Sequence, residues 1–159
     1  MSSDSSAPMV RDQFEETGRL LVSDQSAASY DVTESDGVSL TLVRKSDGAV
    51  ARVEMTGTTE VYFLDLGGIY RVSATAYDPE EKQENLATFL VCATLFMRGN
   101  YVEVIRERKG RISSRSIRLG DAGDYEFSGH VSTADRLKGL LGSRTVVRKP
   151  HPQSPTSGG

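Results

Sequence analysis

Between Asp36 and Tyr77 the chain carries a two-residue rhythm that admits few folds. Val38, Leu40 and Leu42 alternate with Ser39 and Thr41, so an extended segment here has one apolar and one polar face, as a half-buried strand requires. Ala51, Val53 and Met55 repeat the pattern. Tyr70, Val72, Ala74 and Ala76 then alternate with Arg71, Ser73 and Thr75. Asp36-Gly37, Asp47-Gly48 and Gly67-Gly68 separate these runs, and such pairs tolerate the positive φ of tight hairpin turns. Strands joined by turns this short pair antiparallel, which predicts a meander. Val61 to Leu64 is apolar at every position and is expected to be a central strand covered on both faces.

Helix signals flank the meander. Asp78 suits an N-cap, Pro79 the first helical position and Glu81 the third, as in a capping box. The helix should run to Arg98 and stop at Gly99-Asn100. Its C-terminal half is apolar nearly all round, so it is expected to lie buried across the sheet. The apolar stretch Leu86 to Met97 falls short of the roughly 18 residues a membrane span needs. Met9 to Val22 reads as a shorter helix with Val10, Phe14 and Leu21 near one face. Gly18 inside it costs ~1 kcal/mol relative to alanine.

A second set of strands is expected at Tyr101 to Glu107, Arg111 to Leu119 and Tyr125 to Gly129, with a turn at Lys109-Gly110. A last helix is expected from Ser132 to Leu141, stopped by Gly142. Together these elements predict an α+β protein: an antiparallel sheet packed by one long central helix at about 79–98, with short N- and C-terminal helices. At 159 residues, 37 % hydrophobic and 26 % charged, the chain suits one domain over residues 9–149. Polar ends, residues 1–8 and 150–159, are expected to be disordered.

Cys92 is the only cysteine, so no intramolecular disulfide can form, which fits a reducing compartment and, almost as well, a disulfide-free secreted protein. Met1 to Pro8 lacks the basic start and apolar run of a secretory signal. The cytoplasm is the expected location, with no membrane association. The net charge of −3 conceals an asymmetry: 16 acidic and 7 basic side chains up to Leu90, against 6 acidic and 12 basic from Val91 onward. Such polarity marks either a surface for a charged partner or two halves that pair within the fold.

Signatures of catalysis are sparse. His151 sits in the tail. His130 lies at a strand end, where a surface or capping role is the commoner fate, and no G-x-S-x-G supports a triad built on it. Cys92, between Val91 and Ala93, reads as a small core residue rather than a reactive thiol. One cysteine and two separated histidines do not make a zinc cluster. Asp121, Asp124 and Glu126 lack the calcium-loop pattern, and Asp78, Glu80, Glu81 and Glu84 suit a helix start. No phosphate-loop motif occurs. No cofactor or metal is therefore expected, and the balance leans away from an enzyme.

One feature rises above background. Arg98, Arg106, Arg108, Lys109, Arg111, Arg115 and Arg118 fall within 21 residues against only Glu103 and Glu107. On a hairpin, alternation places Arg106 and Arg108 on one face, and Arg111 and Arg115 on one face of the next strand. A charged edge hairpin is a common device against strand pairing. As a site, the set suits an anionic protein surface. Nucleic acid ranks lower because the pI is about 5.4 and aromatic residues are not interleaved with the arginines.

The expected function is thus recognition of a protein partner (a toxin, an effector or a complex subunit) through an exposed sheet face or hairpin. Small acidic α+β proteins without catalytic motifs include toxin-neutralising immunity proteins and effector chaperones; that likeness is of size and class alone. The alternatives are a small-ligand carrier or enzyme with a pocket under the long helix, and a nucleic-acid binder acting through the arginine hairpin.

Overall fold

In the computed structural model, which describes residues 6–130 and 144–148, the chain has the expected α+β class, with antiparallel sheets and two helices. It divides after Arg98 into two units.

The first unit holds α1 (Ser6–Ser23), β1 (Ala27–Glu34), β2 (Gly37–Arg44), β3 (Val50–Thr56), β4 (Val61–Leu66), β5 (Tyr70–Thr75) and α2 (Pro79–Met97). Its five strands form a meander in the order β1-β2-β3-β4-β5, every neighbouring pair antiparallel. The alternation legible in the sequence decides which side faces inward. Val38, Leu40, Leu42, Ala51, Val53, Met55, Tyr62, Leu64 and Leu66 are all buried. Each large side chain among them contributes about 1.5–3 kcal/mol by leaving water.

Two helices cover that face. α1 packs on β1 and β2 through Val10, Phe14 and Leu21, while α2 packs chiefly on β3 and β4 through Leu86, Phe89, Ala93, Phe96 and Met97. Asp78 caps α2 by accepting the Glu80 amide at 2.8 Å, with Pro79 in the first turn. Gly99, at φ 71°, follows the C-cap Arg98.

Three expectations need correction. The helices are near equals, 18 and 19 residues, so α2 is not the single long element. Gly18 is more than a propensity cost, because it is a contact point: a Cβ there would run into the Tyr30 ring. Tyr30 on β1 packs against the bare backbone and donates its hydroxyl to Glu15 at 2.9 Å. Finally, β4 is interior but not the middle strand, and only one of its faces is covered. Phe63 on the other face is 43 % exposed.

The second unit is a four-stranded antiparallel sheet in the order β8-β7-β6-β9, built from β6 (Tyr101–Arg108), β7 (Arg111–Leu119), β8 (Tyr125–Ser128) and β9 (Arg144–Arg148). Lys109 and Gly110, at φ 49° and 74°, make the tight β6–β7 turn, the mirror-image type that matches strand twist. Tyr101, Ile105, Ile117 and Leu119 are buried on one side of this hairpin. The helix expected at 132–141 lies outside the described residues, as does the tail at 150–159; of the end expected to be disordered over 1–8, residues 1–5 lie outside them and Ser6 to Pro8 open α1. No helix among the described residues is long and apolar enough to cross a membrane.

Candidate functional site

The basic residues singled out by the sequence are split between the two units. Arg98 belongs to the first unit, where it caps α2 and grips Asp24 through Nε at 3.2 Å and Nη2 at 2.9 Å. The others lie on the β6–β7 hairpin of the second unit, and a bulge rearranges them. Arg106 pairs with Ser114 but Glu107 pairs with Ile112, so Ser113 is an extra residue on β7. Its hydroxyl donates to the Arg106 carbonyl at 3.0 Å.

One inserted residue inverts the side-chain parity of the strand beyond it. Arg111 therefore stands directly opposite Arg108, and Arg115 opposite Ile105. Arg106 and Arg108 share a face as alternation requires, but Arg111 and Arg115 do not. Arg115 lies 3.7 Å from Glu103, and Arg118 lies 3.4 Å from Glu126 across the ladder. Arg108 is 3 % exposed.

The groups considered for chemistry sit on different elements. His130 is exposed, just past the end of β8. Cys92 is fully buried within α2, and burial pushes its thiol up to about 12. A thiol so placed is a core side chain, since the nucleophile is the thiolate. The space beneath α2 is filled by the side chains of Leu86, Phe89, Cys92, Ala93, Phe96 and Met97. Asp121 accepts from the Asn100 amide at 3.0 Å, and Glu126 is the partner of Arg118. Among the described residues, no group of three or more His, Cys, Asp or Glu side chains is arranged to hold a metal ion.

The outward face of the five-stranded sheet offers a more organised surface. Register aligns Arg52, Asp65 and Arg71 in one row across β3, β4 and β5, and Glu54, Phe63 and Ser73 in the next. Alternation points all six away from the helices. Arg71 Nε donates to Asp65 Oδ2 at 2.7 Å, and Arg52 Nη2 lies 3.3 Å from Glu54 Oε2. These six residues line a shallow depression of about 420 Å³. A second, of about 460 Å³, adjoins it through Arg52 and Asp65 and reaches Val50, itself 42 % exposed. An exposed aromatic side chain thus stands on an interior strand of the outward face, flanked by charges already paired with one another.

Sequence reasoning missed this surface because an all-apolar run reads as burial on both faces. The signal was present nonetheless. Once the hairpin turns set the register, Phe63 falls in line with Glu54 and Ser73, on the polar side.

No family model matches the chain, and neither a curated protein nor a solved structure resembles it significantly.

Proposed function

We propose that this chain is a non-catalytic protein-binding module that engages its partner through the open face of the five-stranded sheet, with Phe63 as the anchor. The observation that carries the proposal is the 43 % exposure of Phe63 amid the Arg52–Glu54 and Asp65–Arg71 pairs. Large aromatic side chains dominate binding energy when a partner pocket desolvates them, and surrounding polar groups act as the rim. Internal pairing holds those charges in place, so they order the rim without demanding a specific counter-charge.

The partner's chemistry follows from the balance of charge. With 16 acidic and 7 basic side chains up to Leu90, the segment bearing this face favours a cationic protein and speeds the encounter by electrostatic steering. A basic toxin or secreted effector with an apolar pocket is a partner of this kind, and neutralising or chaperoning it is the role we assign.

Side-by-side affinity capture from the source with wild-type chain and Phe63→Asp tests the proposal, with circular dichroism and melting temperature matched first. A discrete protein should co-purify with the wild type and be lost with the variant. Truncating an anchor of this type costs about 2 kcal/mol or more, so Phe63→Ala should weaken binding roughly 30-fold. Retention by Phe63→Asp, together with loss on reversing Arg106 and Arg111 to glutamate, would move recognition to the hairpin and refute the proposal.

A further inference from the structure

The end of the β6–β7 hairpin holds charge in an arrangement that folding alone does not reward. Arg108 is 3 % exposed, and its buried Nε and Nη1 have no hydrogen-bond partner among the described residues. A guanidinium does not shed its proton inside a protein, so burying two of its three nitrogens without an acceptor strips much of its charge of water. The residue directly opposite it on the ladder is Arg111. Like charges in that position repel. Arg106 projects exposed from the same face as Arg108, and Lys109 is exposed in the turn. The two carboxylates of the hairpin and that of the neighbouring β8 lie elsewhere: Glu103 faces Arg115, Glu107 lies on the opposite face from Arg108, and Glu126 faces Arg118.

Both liabilities vanish if an anion sits between the two arginines. We propose that this hairpin end is a binding site for a phosphate group, free or carried as a monoester, held by the inward Arg108 and closed over by Arg111. Phosphate suits the site better than carboxylate on two counts. Its dianion balances two guanidiniums, where a carboxylate balances one. Its several oxygens accept from donors that converge from different directions, the geometry in which arginine excels. The bulge at Ser113 makes the site, because without it Arg111 would sit on the other face. Phosphate binding here is independent of the Phe63 surface and stands or falls without it.

The test is an NMR titration of the full ¹⁵N-labelled chain, following the arginine Nε–Hε resonances at constant ionic strength. The probes are inorganic phosphate and glycerol 3-phosphate, with chloride and acetate as controls. Arg108 should shift saturably with at least one phosphate probe and not with the controls. Tighter binding of inorganic phosphate would identify a free-ion site, and tighter binding of the monoester an esterified ligand. Arg108→Lys assigns the resonance; because that variant removes a buried side chain, the decisive change is at exposed Arg111. Arg111→Gln should weaken phosphate binding roughly fivefold or more while leaving the melting temperature in chloride unlowered, and raised where relief of the repulsion on Arg108 is felt. A shift at Arg108 that follows ionic strength alone, equal responses to acetate and phosphate, or an affinity untouched by Arg111→Gln overturns the proposal.

Discussion

Replacing Arg44 with methionine should destabilise the first unit by about 3 kcal/mol, although Arg44 is a charged residue far from α2 in sequence. α2 has no basic side chain in its last turn, and the guanidinium of its C-cap Arg98 is engaged by Asp24, at a helix end where the dipole favours a cation. Arg44, at the end of β2, supplies that cation from the sheet. It is 5 % exposed, donates Nη1 to the Phe96 carbonyl at 2.7 Å and stands 4.6 Å from the centroid of the Phe96 ring. Nε and Nη2 clasp both oxygens of Asp47 at 2.8 and 2.7 Å.

The terms can be ranked. A buried hydrogen bond from a charged group contributes about 1.5–3 kcal/mol, and the ring contact adds about 0.5–2. The Asp47 pair adds little, about 1 kcal/mol at most, because Asp47 is half-exposed and rehydrates when its partner leaves. Methionine replaces the aliphatic stem, so no large cavity forms. For a unit of this length, 3 kcal/mol corresponds to a fall of about 15 °C in melting temperature. Urea unfolding followed by circular dichroism measures it directly, with Arg44→Lys as a control that keeps the charge but loses the fork. A loss under about 0.5 kcal/mol for Arg44→Met would refute the reasoning, since the carbonyl and the ring would then have no need of the guanidinium.

Other consequences are equally open to measurement. Gly18→Ala should destabilise by about 1–2 kcal/mol despite alanine's better helix propensity, because the new methyl meets the Tyr30 ring; a stabilised variant in the same unfolding assay would show that Tyr30 yields freely. Cys92, its thiol raised to about 12 by burial, should resist a thiol reagent in the native state and react on denaturation, and rapid native labelling would contradict its core placement. The Arg44 hydrogen bonds hold Asp47 below its usual 3.8, while for Asp24 the bonds from Ser26 and Arg98 outweigh the upward push of burial. A depressed carboxylate stabilises the fold above its unfolded pKa and loses that contribution as pH falls through the folded one. Arg98→Gln should therefore move the Asp24 carboxyl titration upward by NMR, and an unmoved titration would deny Arg98 its part.

Period and capping made most of the architecture legible in advance. The alternation in β2, β3 and β5 foretold the buried face, Asp78-Pro79 foretold the start of α2, and Lys109-Gly110 marked the β6–β7 turn. What escaped has physical reasons. β1 is an edge strand with Ser29, Asp31 and Thr33 on its outer side and a register irregularity between Ala27 and Ser29, so its apolar rhythm is faint. β9 is five residues long and offers only Val146 and Val147 as apolar signal. The misplacement of Arg111 and Arg115 traces to one extra serine, which no periodicity reveals. Phe63 was hidden by its neighbours Val61, Tyr62 and Leu64, whose apolar character suggested cover on both sides. Arg44 belongs with none of these cases: its partner carbonyl is 52 residues away, and only the folded chain brings them together.

Site-specific photocrosslinking tests the central claim most directly. A benzoyl-phenylalanine at position 63 reports what touches the open sheet face inside the native source, with the same probe at exposed Asp31 on edge strand β1 as the comparison. The protein-binding account predicts one discrete covalent adduct from position 63, diminished by high salt and far weaker from position 31. No adduct from position 63, or the same pattern from both positions, would contradict it.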